Sequence, residues 1–276
     1  METLESLRTA IPEREVIYHY TSQEGLLGII QQRALWTSSI RHLNDSTEFE
    51  YSVQLVRTIL NGRLRHERGP WNGYYGAILT GLDAIKDMTL FVGSFSENGD
   101  LLSQWRAYAP GGIGFSIGFK HKYLRSLAAT QKFSFVKCSY SELDNAEILN
   151  QIINAGGQLV VNGDHRAAVE SFFIALFKIA PAFKHPSFSE EKEWRLVSEV
   201  ILQTDTETQF RTGKSMLIPY RNFRLTDTEG RMPVSKVFIG PTPHKELSIS
   251  SVTHFLFSQG IIDGVVATSS VPYRTW

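Results

Sequence analysis

The chain has 276 residues, with 28 Lys and Arg balancing 28 Asp and Glu. Hydrophobic residues at 42 % and charged residues at 20 % describe a globular protein with a substantial core, and exclude a disordered or membrane-embedded chain. A net charge of zero supplies no global field toward nucleic acid or acidic membranes. The single cysteine, Cys138, lies in the apolar run Phe133–Tyr140, which suggests a reduced, intracellular and cytoplasmic protein. Residues 1–14 lack the apolar core of a signal peptide, and no apolar run is long enough to cross a bilayer.

Residues 3–10 predict a short amphipathic helix stopped by Pro12. Val16–Thr21 reads as a strand with His19 and Thr21 on one face. Thr21 and Glu24 make a capping-box pattern for a helix over Gln23–Arg33, with Leu26, Ile29 and Ile30 as its buried stripe. Leu35–Ser38 is a second short strand, and Asn44-Asp45 with Glu48 opens a helix to about Leu60. Residues 61–75 carry Arg63, Arg65, His66 and Arg68 and read as a solvated loop or a phosphate contact. A helix over roughly 73–87 leads into a strand ending at Ser96, which sets Ser94 and Ser96 on one face. Asp100 caps a short helix with Trp105, Arg106 and Tyr108, stopped at Pro110-Gly111-Gly112.

Ile113–Phe119 alternates strictly, Ile and Phe on one face and Gly or Ser on the other. The bare face lets a ligand, sheet or helix approach the backbone. This Gly-rich start enters a strand rather than a helix, which rules against a dinucleotide or phosphate loop. Phe133–Tyr140 is a further strand, and 141–180 a helical insertion broken near Gly156-Gly157 and Asn162-Gly163. Met216–Tyr220 and Val234–Gly240 are strand-like, His244–Gln259 helical, and Ile261–Ala267 a last buried strand. The whole reads as one α+β domain over 1–276.

The stretch with the most chemistry is Glu190–Arg195, running into an apolar strand. Alternation puts Trp194, Leu196, Ser198 and Val200 on one face, and Glu191, Glu193 and Arg195 on the other. Two close carboxylates repel, so one titrates abnormally or a cation such as Arg195 holds them. The plain alternative is a solvated, charged strand entrance. No G-x-S-x-G elbow, H-E-x-x-H or Cys/His ligand spacing occurs, so neither that class of serine hydrolase nor a metal site is expected. Burial raises a thiol's pKa, which makes Cys138 a poor nucleophile.

Six separated blocks carry a resemblance: His19-Tyr20-Thr21-Ser22; Asn44-Asp45 with Glu48; Ser94-Phe95-Ser96; Gln104-Trp105 with Tyr108; Gly112-Ile113-Gly114-Phe115; and Lys184-His185 through Phe188 to Glu193-Trp194-Arg195. Their order resembles an uncharacterised bacterial domain family, a domain of unknown function that is itself similar to ADP-ribosyltransferases. The resemblance spans most of residues 16–270. It implies an α+β, ADP-ribosyltransferase-like fold: a split, mostly antiparallel sheet with flanking helices and the insertion at 141–180. NAD, as substrate, would lie in the cleft of that sheet.

Carried onto this chain, the resemblance has His19 bonding a ribose hydroxyl and Thr21 lining the nicotinamide site. Tyr20 follows His19 where many members have a small residue. Ser94 and Ser96 brace the site. Glu193 binds the nicotinamide ribose 2′-hydroxyl and stabilises the oxocarbenium ion, and Glu191 positions the acceptor. Trp36, Tyr51 and Tyr108 are candidates for the ring that stacks on nicotinamide. Trp105 and Tyr108, one helical turn apart, line the groove or enter the core, and Arg195 pairs with a glutamate or binds an NAD phosphate. The implied reaction transfers ADP-ribose to a macromolecular acceptor, protein or nucleic acid, or to water. That is the chemistry of a bacterial toxin or anti-phage defence effector, with an antitoxin or regulator as a further partner and no membrane. Two alternatives accompany it: a catalytically inactive binding module of the same fold, and a nucleic-acid-binding protein using Arg63–Arg68. For single residues the plain readings are a structural His19, serines 94 and 96 bonding backbone, and Asn44, Asp45 and Glu48 as a helix start.

Overall fold

The computed structural model describes residues 15–43, 47–84, 88–108, 113–202, 204–213, 215–232 and 234–272. The expected helix at 3–10, the Asn44-Asp45 cap and the Pro110–Gly112 stop lie outside these residues. Strand β1 (Val16–Thr21), helix α1 (Gln23–Gln32) and strand β2 (Ala34–Ser39) come first. The cap of α1 is Ser22 rather than Thr21: its hydroxyl accepts from the Gly25 amide at 3.2 Å, while Thr21 stays in the strand. Leu26, Ile29 and Ile30 are buried, as the periodicity predicts.

Helix α2 (Thr47–His66) runs on past Leu60, and α3 (Pro70–Ala84) opens on its proline, whose missing N–H costs nothing at a helix start. The segment read as an Arg-rich loop is therefore mostly helical. Arg63 is spent inside the fold, donating to Asn150 Oδ1 at 2.6 Å and Asn154 Oδ1 at 2.7 Å, while Arg65, His66 and Arg68 are exposed.

Strands β3 (Met88–Thr89) and β4 (Phe91–Ser96), helix α4 (Leu102–Tyr108) and strand β5 (Phe115–Lys120) follow. An unanticipated helix, α5 (His121–Thr130), buries Leu124, Leu127 and Ala128 and leaves Lys122 and Arg125 exposed. After β6 (Phe133–Lys137) the insertion forms three helices, α6 (Glu142–Ala155), α7 (Gly157–Val161) and α8 (His165–Ile179), divided at both expected breaks. The rest is β7 (Glu193–Ser198), β8 (Ile201–Leu202), β9 (Gln209–Thr212), β10 (Leu217–Arg224), β11 (Val234–Ile239), α9 (Lys245–Ser258) and β12 (Val265–Thr268). Strand β12 is shorter than expected. It is also an edge strand with Val265 exposed, where the sequence suggested a buried one.

The main sheet runs β12–β11–β5–β1–β4–β2–β10–β9, with β7 beside β4 and β6 beside β7. All these strand pairs are antiparallel except β11 with β12. This is the expected mostly antiparallel sheet with flanking helices. Strand β4 meets three neighbours. Along one edge β7 pairs with it from Val92↔Val197 to Ser96↔Glu193. Along the other edge β2 holds its first residues (Ser39↔Phe91, Ser38↔Val92) and β1 only its last (Tyr18↔Ser96). The sheet thus splits between β1 and β2.

Helices cover both faces. On one, Val92, Val136 and Val197 join a core with α2, α3 and the insertion helices. On the other, Phe95, Phe135, Trp194 and Leu196 pack with α1, α5 and α9. All six residues of β7 are consequently buried, so the reading of a solvated, charged strand entrance fails for Glu193 and holds only for Glu190 and Lys192, which are exposed.

The bare face of β5 admits a ring of the protein itself. Gly118 pairs with Tyr18, and a Cβ at Gly118 would sit 2.8 Å from the Tyr18 ring. Gly118→Ala is expected to cost about 1–3 kcal/mol, read as a lower urea midpoint at unchanged m-value; wild-type stability would show that Tyr18 can yield.

Candidate functional site

At the split, the edges of β1 and β4 diverge and a cleft opens. It encloses about 310 Å³, open solvent at its mouth included, and is lined by Tyr18, His19, Tyr20, Ser94, Phe95, Ser96, Gln104, Tyr108, Glu191 and Glu193. His19 spans the gap. Its Nδ1 lies 2.9 Å from the Ser94 carbonyl oxygen and its ring is 5.7 Å from that of Phe95. A carbonyl only accepts, so Nδ1 carries the proton and Nε2 is left as an acceptor in the neutral ring. Burial keeps the His19 pKa below its ordinary value, partly offset by the Ser94 hydrogen bond.

The floor of the cleft is charged. Glu193, 4 % exposed, receives Arg195 Nε at 2.7 Å on Oε1, and Arg195 Nη2 at 3.1 Å and Lys184 Nζ at 2.6 Å on Oε2. Lys184 also reaches Glu191 Oε2 at 2.5 Å, so one ammonium ties both carboxylates. Arg195, 2 % exposed, donates in addition to the Pro181 carbonyl at 2.6 Å, just beyond the insertion helices. Burial alone would raise the Glu193 pKa, but the two cations overcome it and hold the carboxyl at about 2. Glu193 is therefore an ionised acceptor and no general acid. Glu191 ends a short 3-10 helix (Pro186–Glu191), and Lys192 turns the chain with φ +42° before β7 begins. The expected Glu191-x-Glu193 face is absent, yet both carboxylates reach the same cleft.

Helix α4 closes the other side. Gln104 and Tyr108, four residues apart, share its cleft-facing side. Trp105 points instead into the core, 2 % exposed, against Tyr20 at 4.8 Å between rings. Its indole donates to Asp100 Oδ1 at 2.8 Å, and Asp100 also accepts from the Ser269 hydroxyl and from the Ser270 amide and hydroxyl. Asp100 thus fastens α4 to the chain after β12, where the sequence reading made it the helix cap. The Tyr108 hydroxyl is desolvated although 38 % of the residue is exposed, and its pKa is pushed up to about 12, by burial first and then by Glu193 and Glu191.

The structure therefore gathers His19, Tyr20, Ser94, Ser96, Tyr108, Glu191 and Glu193 around one cleft, and leaves Thr21, Trp105 and Arg195 out of its lining. Arg195 acts on the cleft only through Glu193. The Tyr20 hydroxyl is taken up structurally, donating to the Asn98 carbonyl at 2.8 Å and accepting from the Leu101 amide at 3.0 Å. Ser96 bonds backbone, donating to the Glu191 carbonyl at 2.7 Å. Of the proposed stacking rings, Tyr108 lies in the cleft, whereas Trp36 pairs with Tyr220 at 4.6 Å and Tyr51 packs on the helical core. Sequence reasoning missed Lys184 and Gln104 as site residues, and Glu97, which holds the Trp194 indole at 2.9 Å. Gln104 and Lys184 both stood within the blocks that carry the resemblance, but no role was assigned to either; the four-residue spacing from Gln104 to Tyr108 was a further signal. Among the described residues no group of three or more His, Cys, Asp or Glu is placed to hold a metal, and no helix is long and apolar enough to cross a membrane.

The depressed pKa means that the fold favours ionised Glu193. Its contribution is full above the ordinary value of 4.5 and is lost as pH falls toward 2. Urea unfolding of wild type is expected to weaken over that window by up to about 3 kcal/mol more than that of Glu193→Gln; parallel pH curves would contradict the ion cluster. Lys184→Met, which leaves two carboxylates with one cation, is expected to lose about 3–5 kcal/mol at neutral pH, by the same measurement.

No curated protein and no solved structure matches the chain. A family model does match. It covers the stretch from Gln104 to Leu196 within β7, which supplies Gln104, Tyr108, Glu191 and Glu193 to the cleft and Lys184 to the two glutamates. The recognition of an uncharacterised domain family from the order of the motifs is borne out: residues 104–196 match the family described as Protein of unknown function (DUF2971).

Proposed function

We propose that the cleft binds NAD through its nicotinamide ribose and that the protein cleaves the glycosidic bond, passing ADP-ribose to a macromolecule or to water. One observation carries this reading. His19, Ser94, Ser96 and Glu193, which the ADP-ribosyltransferase resemblance assigns to the NAD site, Glu191, which it assigns to the acceptor, and Tyr108, a candidate stacking ring, come from five separate elements and converge on one cleft. The chemistry is consistent with them. Departure of nicotinamide builds positive charge on the ribose, and a carboxylate that stays ionised lowers that barrier electrostatically. Neutral His19 offers Nε2 to a ribose hydroxyl. Glu191, partly exposed at the mouth, is placed to meet an acceptor. Such chemistry suits a bacterial toxin or defence effector, which needs a regulator or antitoxin to hold it in check.

A second reading has its own support. Both Glu193 oxygens already accept from Arg195 and Lys184, which favours a binding module that holds the nucleotide without turnover.

Nicotinamide release from NAD by wild type, Glu193→Gln, Glu191→Gln and His19→Ala separates the two. Turnover is expected to fall roughly 100-fold or more in Glu193→Gln and about 10-fold in His19→Ala, with thermal unfolding confirming that each variant is folded. NAD binding without release, in buffer and in cell extract, would favour the module. Neither binding nor release would sink the NAD reading.

A further inference from the structure

The Gln104 side chain is 7 % exposed and lines the cleft, yet it makes no hydrogen bond among the described residues. A carboxamide edge left without such a partner, on a largely buried residue, is open to a ligand that enters the cleft. Several other cleft-facing polar groups are committed: Ser96 to backbone, Glu193 to two cations, Glu191 to Lys184, His19 Nδ1 to Ser94. What the cleft still offers is the Gln104 amide edge, the His19 Nε2 acceptor, the Ser94 hydroxyl and the Tyr108 phenol. The high pKa of that phenol keeps it a donor. Tyr108 also presents a partly exposed ring at the mouth, one helical turn from Gln104.

We propose that Gln104 is a specificity residue that reads an amide-type edge, one donor beside one acceptor, on a planar ring lodged against Tyr108. A glutamine side chain pairs in both directions with such an edge. A ring carboxylate fits poorly, since it has no donor to give the Gln104 carbonyl oxygen. Two sources carry this edge, a pyridine or benzene carboxamide and a nucleobase. The inference rests on the cleft being a binding site, as in the reading above, but does not require NAD turnover.

The test is calorimetric titration of the full chain with benzamide, nicotinamide, adenosine and guanosine, with benzoate and nicotinate as matched acids. Wild type is expected to prefer an amide over its acid by about tenfold or more, and Gln104→Leu to lose that preference. Gln104→Glu, which keeps the shape and removes the donors, is a second variant for the same loss; melting curves show that each variant is folded. Binding of the carboxamides alone identifies the first source, and of the nucleosides alone the second. The proposal is overturned if no probe binds wild type, or if folded Gln104→Leu discriminates as wild type does. Amide binding without NAD cleavage leaves this proposal in place and removes the enzyme reading. NAD cleavage with unchanged KM in Gln104→Leu does the reverse.

Discussion

A carboxylate with 4 % exposure keeps its charge in this protein because two cations lie within 3.1 Å of its oxygens. Removing a charge from water costs several kcal/mol per ion, and only close, hydrogen-bonded partners offset that. Arg195 lies two residues along the same strand, on the same side of the sheet. Lys184 arrives from the segment that closes the helical insertion, and Arg195 reaches that segment as well through the Pro181 carbonyl. The Glu193–Lys184–Arg195 cluster therefore joins the sheet to the insertion at the floor of the cleft. Its members cannot be exchanged singly without stranding a buried charge.

The cleft follows from a mismatch in pairing. Strand β4 is fully paired on the β7 edge, while its other edge is shared between β2 at one end and β1 at the other. Between those contacts the backbone of β4 presents a carbonyl, at Ser94, that His19 satisfies with a side chain. Covering buried backbone polar groups is obligatory, and doing so with an imidazole leaves a second ring nitrogen facing the cleft. The same split thus creates both a structural requirement and a chemical group.

The insertion does not line the cleft. Its helices pack with α2 and α3 over Val92, Val136 and Val197, and they fix the cleft from below through Pro181 and the residues that follow. On the opposite wall, Asp100 ties α4 to the segment after β12. Gln104 and Tyr108 are held by contacts that lie far from them in the chain.

Local pattern carried most of the elements. The period-two runs at Val16–Thr21 and Phe115–Phe119, the stripe of Leu26, Ile29 and Ile30, and the two breaks of the insertion were legible because strand and helix periods are properties of neighbouring residues. The grouping of His19, Ser94, Ser96, Tyr108 and the two glutamates came from motif order, and the register of β4 gives that grouping a physical basis. What the chain alone did not disclose depends on partners distant in sequence. Helix α5 is the exception: its stripe of Leu124, Leu127 and Ala128 is legible in the sequence and was missed, and only the surface it packs on, β6 and β5, is set by the fold. The Arg63 guanidinium, a surface charge by composition, is satisfied by Asn150 and Asn154 across a helix interface. Lys184 becomes the bridge between two glutamates only when a 3-10 turn brings Glu191 back beside Glu193. Burial, charge pairing and the opening of the sheet are decided in three dimensions, because the energy of a charge or an amide depends on what surrounds it and not on its neighbours in the chain.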